Sequence, residues 1–187
     1  MNDRQFVFGY GSLVAEHGRG HVARLRGWRR TWGVAMDNSR DLPGYKSYRL
    51  RADGSRPAVF VAFIDIAEDP PCALTGVCML VDPADLHALD ARERNYDRID
   101  VTGAIDPAPG RVWAYRGSDA GRARMREGLA AGRAVVHSEY LDGVVAGVAA
   151  IAPDEVAELE RSPRAAGLRV LALERVEIPP EPGGVSL

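Results

Sequence analysis

Phe8-Gly9-Tyr10-Gly11-Ser12-Leu13 closes an apolar run with two glycines set around a tyrosine and followed by a serine. Glycine lets successive backbone N–H groups turn into one concavity, and such a concavity holds a carboxylate or an oxyanion. Ser12 would add a hydroxyl donor. A tight turn leaving a core strand satisfies the same pattern, so the loop alone does not decide between the two. Three better-known glycine motifs are excluded. No Gly-Lys-Ser/Thr follows, the third glycine of a dinucleotide fingerprint is missing, and Ser12 lacks the flanking glycines of a nucleophile elbow.

Glu93 is the second candidate, inside Leu89-Asp90-Ala91-Arg92-Glu93-Arg94-Asn95-Tyr96. Alternating charges at a helix end ordinarily mark a solvated surface. A carboxylate there gains chemical meaning only if the fold carries it to the glycine loop. His17 and His21 have i, i+4 spacing, but Gly18 and Gly20 lie between them and no third ligand is near, so no metal site is expected. His87 and His137 stand alone and read as surface or packing residues. Cys72 and Cys78 lack zinc-ligand spacing and read as reduced, apolar thiols. Trp28, Trp32 and Trp113 read as core.

Phe6–Tyr10 reads as a buried first strand, broken into a loop by Gly11-Ser12. Val22–Met36 alternates and predicts an amphipathic strand. A polar loop at 37–44 precedes a short strand near Tyr48–Arg51 and a turn at Ala52–Ser55. Ala58–Ile66 and Leu74–Val81 predict two strands, separated by a loop that ends at Pro70-Pro71. Asp82-Pro83 opens a helix, with a capping side chain followed by proline at the first helical position. Tyr96–Ala104 and Val112–Tyr115 predict strands. Ser118–Gly132, Ser138–Ala150 and Pro153–Arg161 predict helices, and Leu168–Ile178 a last strand. Strands dominate the first part and helices the later part. That pattern predicts an α+β class, with a small mixed, twisted, barrel-like sheet and flanking helices.

The chain has 187 residues, of which 46% are hydrophobic. This fits one domain, taken here as residues 1–178, followed by a Pro/Gly-rich tail at 179–187. Net charge is −2, which gives no basic footprint for nucleic acid. Lys46 is the only lysine. An arginine-for-lysine bias of this kind follows from base composition. The beginning of the chain carries no apolar signal core, and no apolar run approaches a membrane span. The expected location is cytoplasmic, with no membrane partner.

Two segments together resemble one family. Val7-Phe8-Gly9-Tyr10-Gly11-Ser12-Leu13 resembles the Tyr-Gly-Ser signature of the γ-glutamylcyclotransferase-like superfamily. Leu89-Asp90-x-Arg92-Glu93-x-x-Tyr96, followed by Arg98-Ile99-x-Val101, resembles its catalytic-glutamate segment. Arg26-Gly27-Trp28-Arg29-Arg30 is similar to the stretch after the loop, and Ser138-Glu139-Tyr140-Leu141 to a late helix start of the ChaC-like branch. The resemblance implies the fold of that superfamily and release of 5-oxoproline from a γ-glutamyl compound, without cofactor or metal. It implies that Tyr10, Gly11, Ser12 and Leu13 hold the glutamyl group, joined by Tyr140, and that Glu93 is the acid/base. We therefore expect Glu93 to face the Gly9–Leu13 loop across a shared pocket. The substrate stays open among glutathione, a γ-glutamyl amino acid and a γ-glutamylamine. Two further readings remain: a non-catalytic binding module on the same fold, and a tailoring enzyme that removes a γ-glutamyl protecting group in biosynthesis.

Overall fold

The computed structural model describes residues 4–106 and 108–179; of the tail expected at 179–187, residues 180–187 lie outside them. The expected α+β class is what is found. The curled main sheet runs β5 (Tyr96–Asp100), β7 (Arg111–Gly117), β1 (Gln5–Gly9), β4 (Phe60–Val81), β2 (His21–Asp37), β6 (Ile105–Asp106). β8 (Ala134–His137) joins β4 in parallel and carries β9 (Arg169–Leu171) on its other side. A separate ribbon pairs β3 (Lys46–Leu50) with β10 (Leu173–Glu177). The helices are α1 (Pro83–Arg92), α2 (Asp119–Ala130), α3 (Ser138–Ile151) and α4 (Val156–Ala165).

Most expected elements are present, and the departures have physical causes. The two strands expected at 58–66 and 74–81 are one long strand, β4. Pro70 and Pro71 do not end it, because its ladder to β2 steps from Trp28↔Glu68 directly to Arg26↔Ala73. The prolines sit where no N–H partner is required. Gly27, at φ +79°, supplies the left-handed backbone of that irregularity. The strand expected at 96–104 stops at Asp100, whose carboxylate accepts from the Thr102 N–H (3.0 Å) and hydroxyl (2.6 Å) and turns the chain. The strand expected at 168–178 divides at Ala172, because β9 pairs with β8 while β10 pairs with β3. The Gly11-Ser12 loop continues directly into a 3₁₀ segment, Ser12–Arg19. The buried strand β8 was not expected at all; four residues are too few to show a period.

β4 is the spine, bonded to β1, β2 and β8. At its middle, Asp65 is 1% exposed. Its carboxylate accepts from the Ile66 N–H (2.7 Å), the Gly117 N–H (2.6 Å) and the Arg122 guanidinium (3.0 and 2.8 Å). This ties β4 to β7 and α2 at one buried point. Asn38, fully buried, does a similar task for β3: its side chain bonds both the N–H and the carbonyl of Tyr48. Among the described residues, no helix is long and apolar enough to cross a membrane.

Asp65→Ala leaves Arg122 and two backbone N–H groups without their acceptor. Breaking a buried pair from one side costs about 3–5 kcal/mol. We expect a loss of that size in urea unfolding with an unchanged slope. A loss below about 1 kcal/mol, the size of a surface pair, would show that Asp65 is not the tie point.

Candidate active site

The loop is built by close packing. A Cβ on Gly9 would lie 2.6 Å from the Leu13 Cβ, and one on Gly11 would lie 3.3 Å from the Tyr140 hydroxyl oxygen. Both glycines are therefore places where the chain folds tightly onto a neighbour. The Val14 N–H closes onto the Gly11 carbonyl at 3.0 Å. The N–H groups of Ser12 and Leu13 open this turn, so no carbonyl within it can accept from them. Arg30 fixes the loop from behind. Its Nε donates to the Tyr10 carbonyl (2.9 Å), and its guanidinium pairs with Glu155 (2.5 Å). Glu155 in turn accepts from the N–H (3.0 Å) and hydroxyl (2.6 Å) of Thr75 on β4. On the other side, α3 presses against the 3₁₀ segment at Gly147, where a Cβ would lie 2.8 Å from the Ala15 nitrogen. That contact sets Tyr140, in the first turn of α3, over the loop.

Glu93 arrives from the opposite side. Asp82 caps α1 by accepting from the Ala84 N–H (2.9 Å), and Pro83 begins it. Leu86 and Leu89 seat the helix against Val7 and Tyr115. The Tyr115 hydroxyl donates to Asp90 at 2.8 Å. The helix ends at Glu93, whose carbonyl accepts from the Tyr96 N–H (2.9 Å) and turns the chain into β5. The Glu93 side chain is 26% exposed and lies 3.4 Å from Arg92.

Loop, tyrosines and glutamate meet in a notch of about 60 Å³. Its lining includes Tyr10, Gly11, Ser12, Leu13, Glu93 and Tyr140, all six residues singled out in the sequence. Glu93 and the loop therefore line one notch. Phe8, Gly9, Ile64, Tyr96 and Tyr115 complete the walls. Tyr96 stood in the glutamate motif without a role; Ile64 and Tyr115 carried no local signal, because only strand pairing brings them here.

The tyrosine hydroxyls divide unequally. Tyr10 donates to the Tyr115 carbonyl, Tyr115 to Asp90, and Tyr96 to the Ile64 carbonyl (2.7 Å). Tyr140 instead accepts, from the Ile64 N–H at 3.1 Å. Of the four, only Tyr140 has no protein acceptor for its own proton among the described residues. Burial is the main force raising the pKa of all four phenols, and the Glu93 charge adds to it at each. They are neutral donors, and Glu93 is the notch's one carboxylate.

Beyond the notch opens a cleft of about 750 Å³ that shares Ser12, Leu13, Glu93, Tyr96 and Tyr140 with it and extends to Tyr45, Lys46, Phe63 and Arg175. No group of three or more His, Cys, Asp or Glu side chains is arranged to hold a metal ion among the described residues. His21 packs edge-on against Phe6, and His17 lies 3.3 Å from the Val14 carbonyl. His137 is buried, which lowers its pKa. Cys72 and Cys78 are free thiols on the same strand. Of the tryptophans expected in the core, Trp32 is buried, while Trp28 and Trp113 are half-buried under arginines.

Residues 7–133 match the profile of the family described as gamma-glutamyl cyclotransferase, AIG2-like. The chain belongs to that family. No curated sequence matches it. Among solved structures it is similar to one titled gamma-glutamyl cyclotransferase, with 13% identity, 98% of this chain and 94% of the other covered, and a TM-score of 0.48. An uncharacterised human protein shares 14% identity over 100% and 95% of the chains at a TM-score of 0.49. A yeast gamma-glutamyl cyclotransferase specific to glutathione shares 15% over 86% and 87% at 0.43.

All six tyrosines of the chain have raised pKa values, with burial as the leading cause. Unfolded tyrosine ionises near pH 10. Above that pH the unfolded chain releases protons that the native state retains, so stability falls as pH rises. We expect tyrosinate absorbance to stay low just above pH 10 and to rise together with loss of circular dichroism. Full ionisation of a folded protein at pH 10 would contradict the site.

Proposed function

We propose that this protein cyclises γ-glutamyl compounds, releasing 5-oxoproline and the free amine. The observation that carries the reading is that Glu93 lines the same small notch as the Tyr10–Leu13 loop and Tyr140. The α-amine of the substrate attacks its own γ-carbonyl carbon, closing a five-membered lactam. The bond between that carbon and the departing nitrogen then breaks. The attacking nitrogen begins as an ammonium, so a base must remove its proton, and the departing nitrogen must gain one. Glu93, the notch's one carboxylate, takes that proton and delivers it to the departing nitrogen; the attacking nitrogen's second proton, acidic once the new C–N bond has formed, follows to the released amine through the same carboxylate, which ends as it began. A notch of only about 60 Å³ favours the folded conformer in which amine and carbonyl meet. The N–H groups of Ser12 and Leu13 and the uncommitted Tyr140 proton supply donors to the substrate's oxygens. No nucleophilic side chain and no cofactor enters this scheme.

Glu93→Gln keeps the shape and removes the base. We expect 5-oxoproline release, measured across a panel of γ-glutamyl compounds, to fall by about 10²–10⁴-fold. Folding should be retained, since Glu93 makes one long contact to an exposed arginine. Undiminished release by the folded variant would remove Glu93 from the mechanism. Absence of release by the wild type from every compound would favour the non-catalytic module. Tyr140→Phe should weaken substrate binding by about tenfold or less, the worth of one neutral hydrogen bond, with unchanged affinity as the contrary result.

A further inference from the structure

The notch accounts for the glutamyl group and leaves the 750 Å³ cleft for whatever is attached to it. What that cleft admits depends on the charges of its wall. Each carboxylate there is matched by an arginine: Glu16 with Arg19 at 3.2 Å, Glu93 with Arg92 at 3.4 Å, Glu177 with Arg175 at 2.6 Å, and Glu139 with Arg51. Lys46 is different. The chain's only lysine projects from β3 into this cleft, with no carboxylate within ion-pair distance and no hydrogen-bond acceptor among the described residues. Its ammonium lies 4.5 Å from the centre of the Phe63 ring and 5.4 Å from that of Tyr45. Aromatic faces attract a cation but do not accept its protons in the way a carboxylate does. Phe63 packs edge-on against Tyr140, ring centres 5.3 Å apart. One aromatic ring therefore separates the unpaired ammonium from the tyrosine over the notch. Arg94, at the rim, is also without a carboxylate partner among the described residues and stacks over Tyr45 at 5.3 Å.

A desolvated cation without a counter-charge is costly unless a ligand supplies one. Burial, aided by Arg175 and opposed by Glu93 and Glu177, lowers the Lys46 pKa to about 8, so the ammonium still predominates at neutral pH. We propose that Lys46 receives a carboxylate on the departing amine, so that the preferred substrates are γ-glutamyl amino acids and short γ-glutamyl peptides rather than γ-glutamyl alkylamines. This rests on the cyclisation reading and adds to it the chemistry of the leaving group. The aromatic floor under the ammonium excludes water and strengthens the ion pair with a carboxylate.

The test compares γ-glutamyl-alanine with γ-glutamyl-alaninamide, in which a neutral carboxamide of nearly the same size replaces the carboxylate. We expect wild-type kcat/KM to favour the acid by about tenfold or more, the range for a hydrogen bond to a charged group, with the difference in KM. Lys46→Met should abolish the preference by weakening the acid alone, and Lys46→Arg should restore part of it. Equal loss for both compounds through kcat would overturn the proposal and make Lys46 a proton donor or a structural residue. An unchanged preference in Lys46→Met would also overturn it. Calorimetric binding of the two compounds to Glu93→Gln, with and without Lys46→Met, reads the same preference without turnover. If the wild type releases 5-oxoproline from neither compound but does so from a γ-glutamyl alkylamine, the proposal is overturned; if it releases none from any γ-glutamyl compound, the cyclisation reading fails. The binding comparison then decides separately whether Lys46 selects the carboxylate.

Discussion

Both polar groups of one peptide position, Ile64 on β4, are tied to tyrosines from distant parts of the chain. Its N–H donates to Tyr140 on α3, and its carbonyl accepts from Tyr96 on β5. Ile64 is buried, and buried backbone groups need partners. The site is thus measured from a single point: α3 and β5 cannot move relative to β4 without orphaning one end of that peptide. The next residue, Asp65, pins the same stretch to β7 and α2 through its buried carboxylate. β1, which delivers the loop, is bonded to β4 as well. Every wall of the notch refers back to this strand.

The electrostatics follow from the same arrangement. Tyrosines hold the walls through hydroxyls turned to protein acceptors, and burial keeps them protonated. One carboxylate and the hydroxyl protons of Ser12 and Tyr140, which have no protein acceptor among the described residues, then remain in the notch. Among buried tyrosines each donor acts in lower dielectric than water, which increases its worth and also the cost of leaving it unpaired. Arg30 and Glu155 lie behind the loop rather than in the notch. They hold the Tyr10 carbonyl from behind.

Much of this was legible in the sequence because it is local. Alternation marked β2, the apolar run marked β1, and Asp82-Pro83 marked the start of α1. The glycines around Tyr10 marked the turn, the two separated motifs together named five of the residues that share the notch, and the resemblance at Ser138–Leu141 added Tyr140. What was not legible depends on pairing between distant segments. β8 is too short to show a period, and Pro70-Pro71 reads as a break unless the skipped register opposite is known. β9 and β10 look like one strand until their different partners are seen. Lys46 was visible as the only lysine, but its lack of a counter-charge emerges only when every neighbouring carboxylate is found with an arginine.

The central claim is that the notch holds the glutamyl end of the substrate between the loop and Glu93. The most direct measurement is a crystal structure with 5-oxoproline, the proposed product. The account predicts an oxygen of the ligand about 2.7–3.2 Å from the Ser12 or Leu13 nitrogen, at ordinary hydrogen-bond length. The lactam nitrogen should face the Glu93 carboxylate. A ligand bound elsewhere, or bound in the notch with Glu93 turned out to solvent, would contradict it.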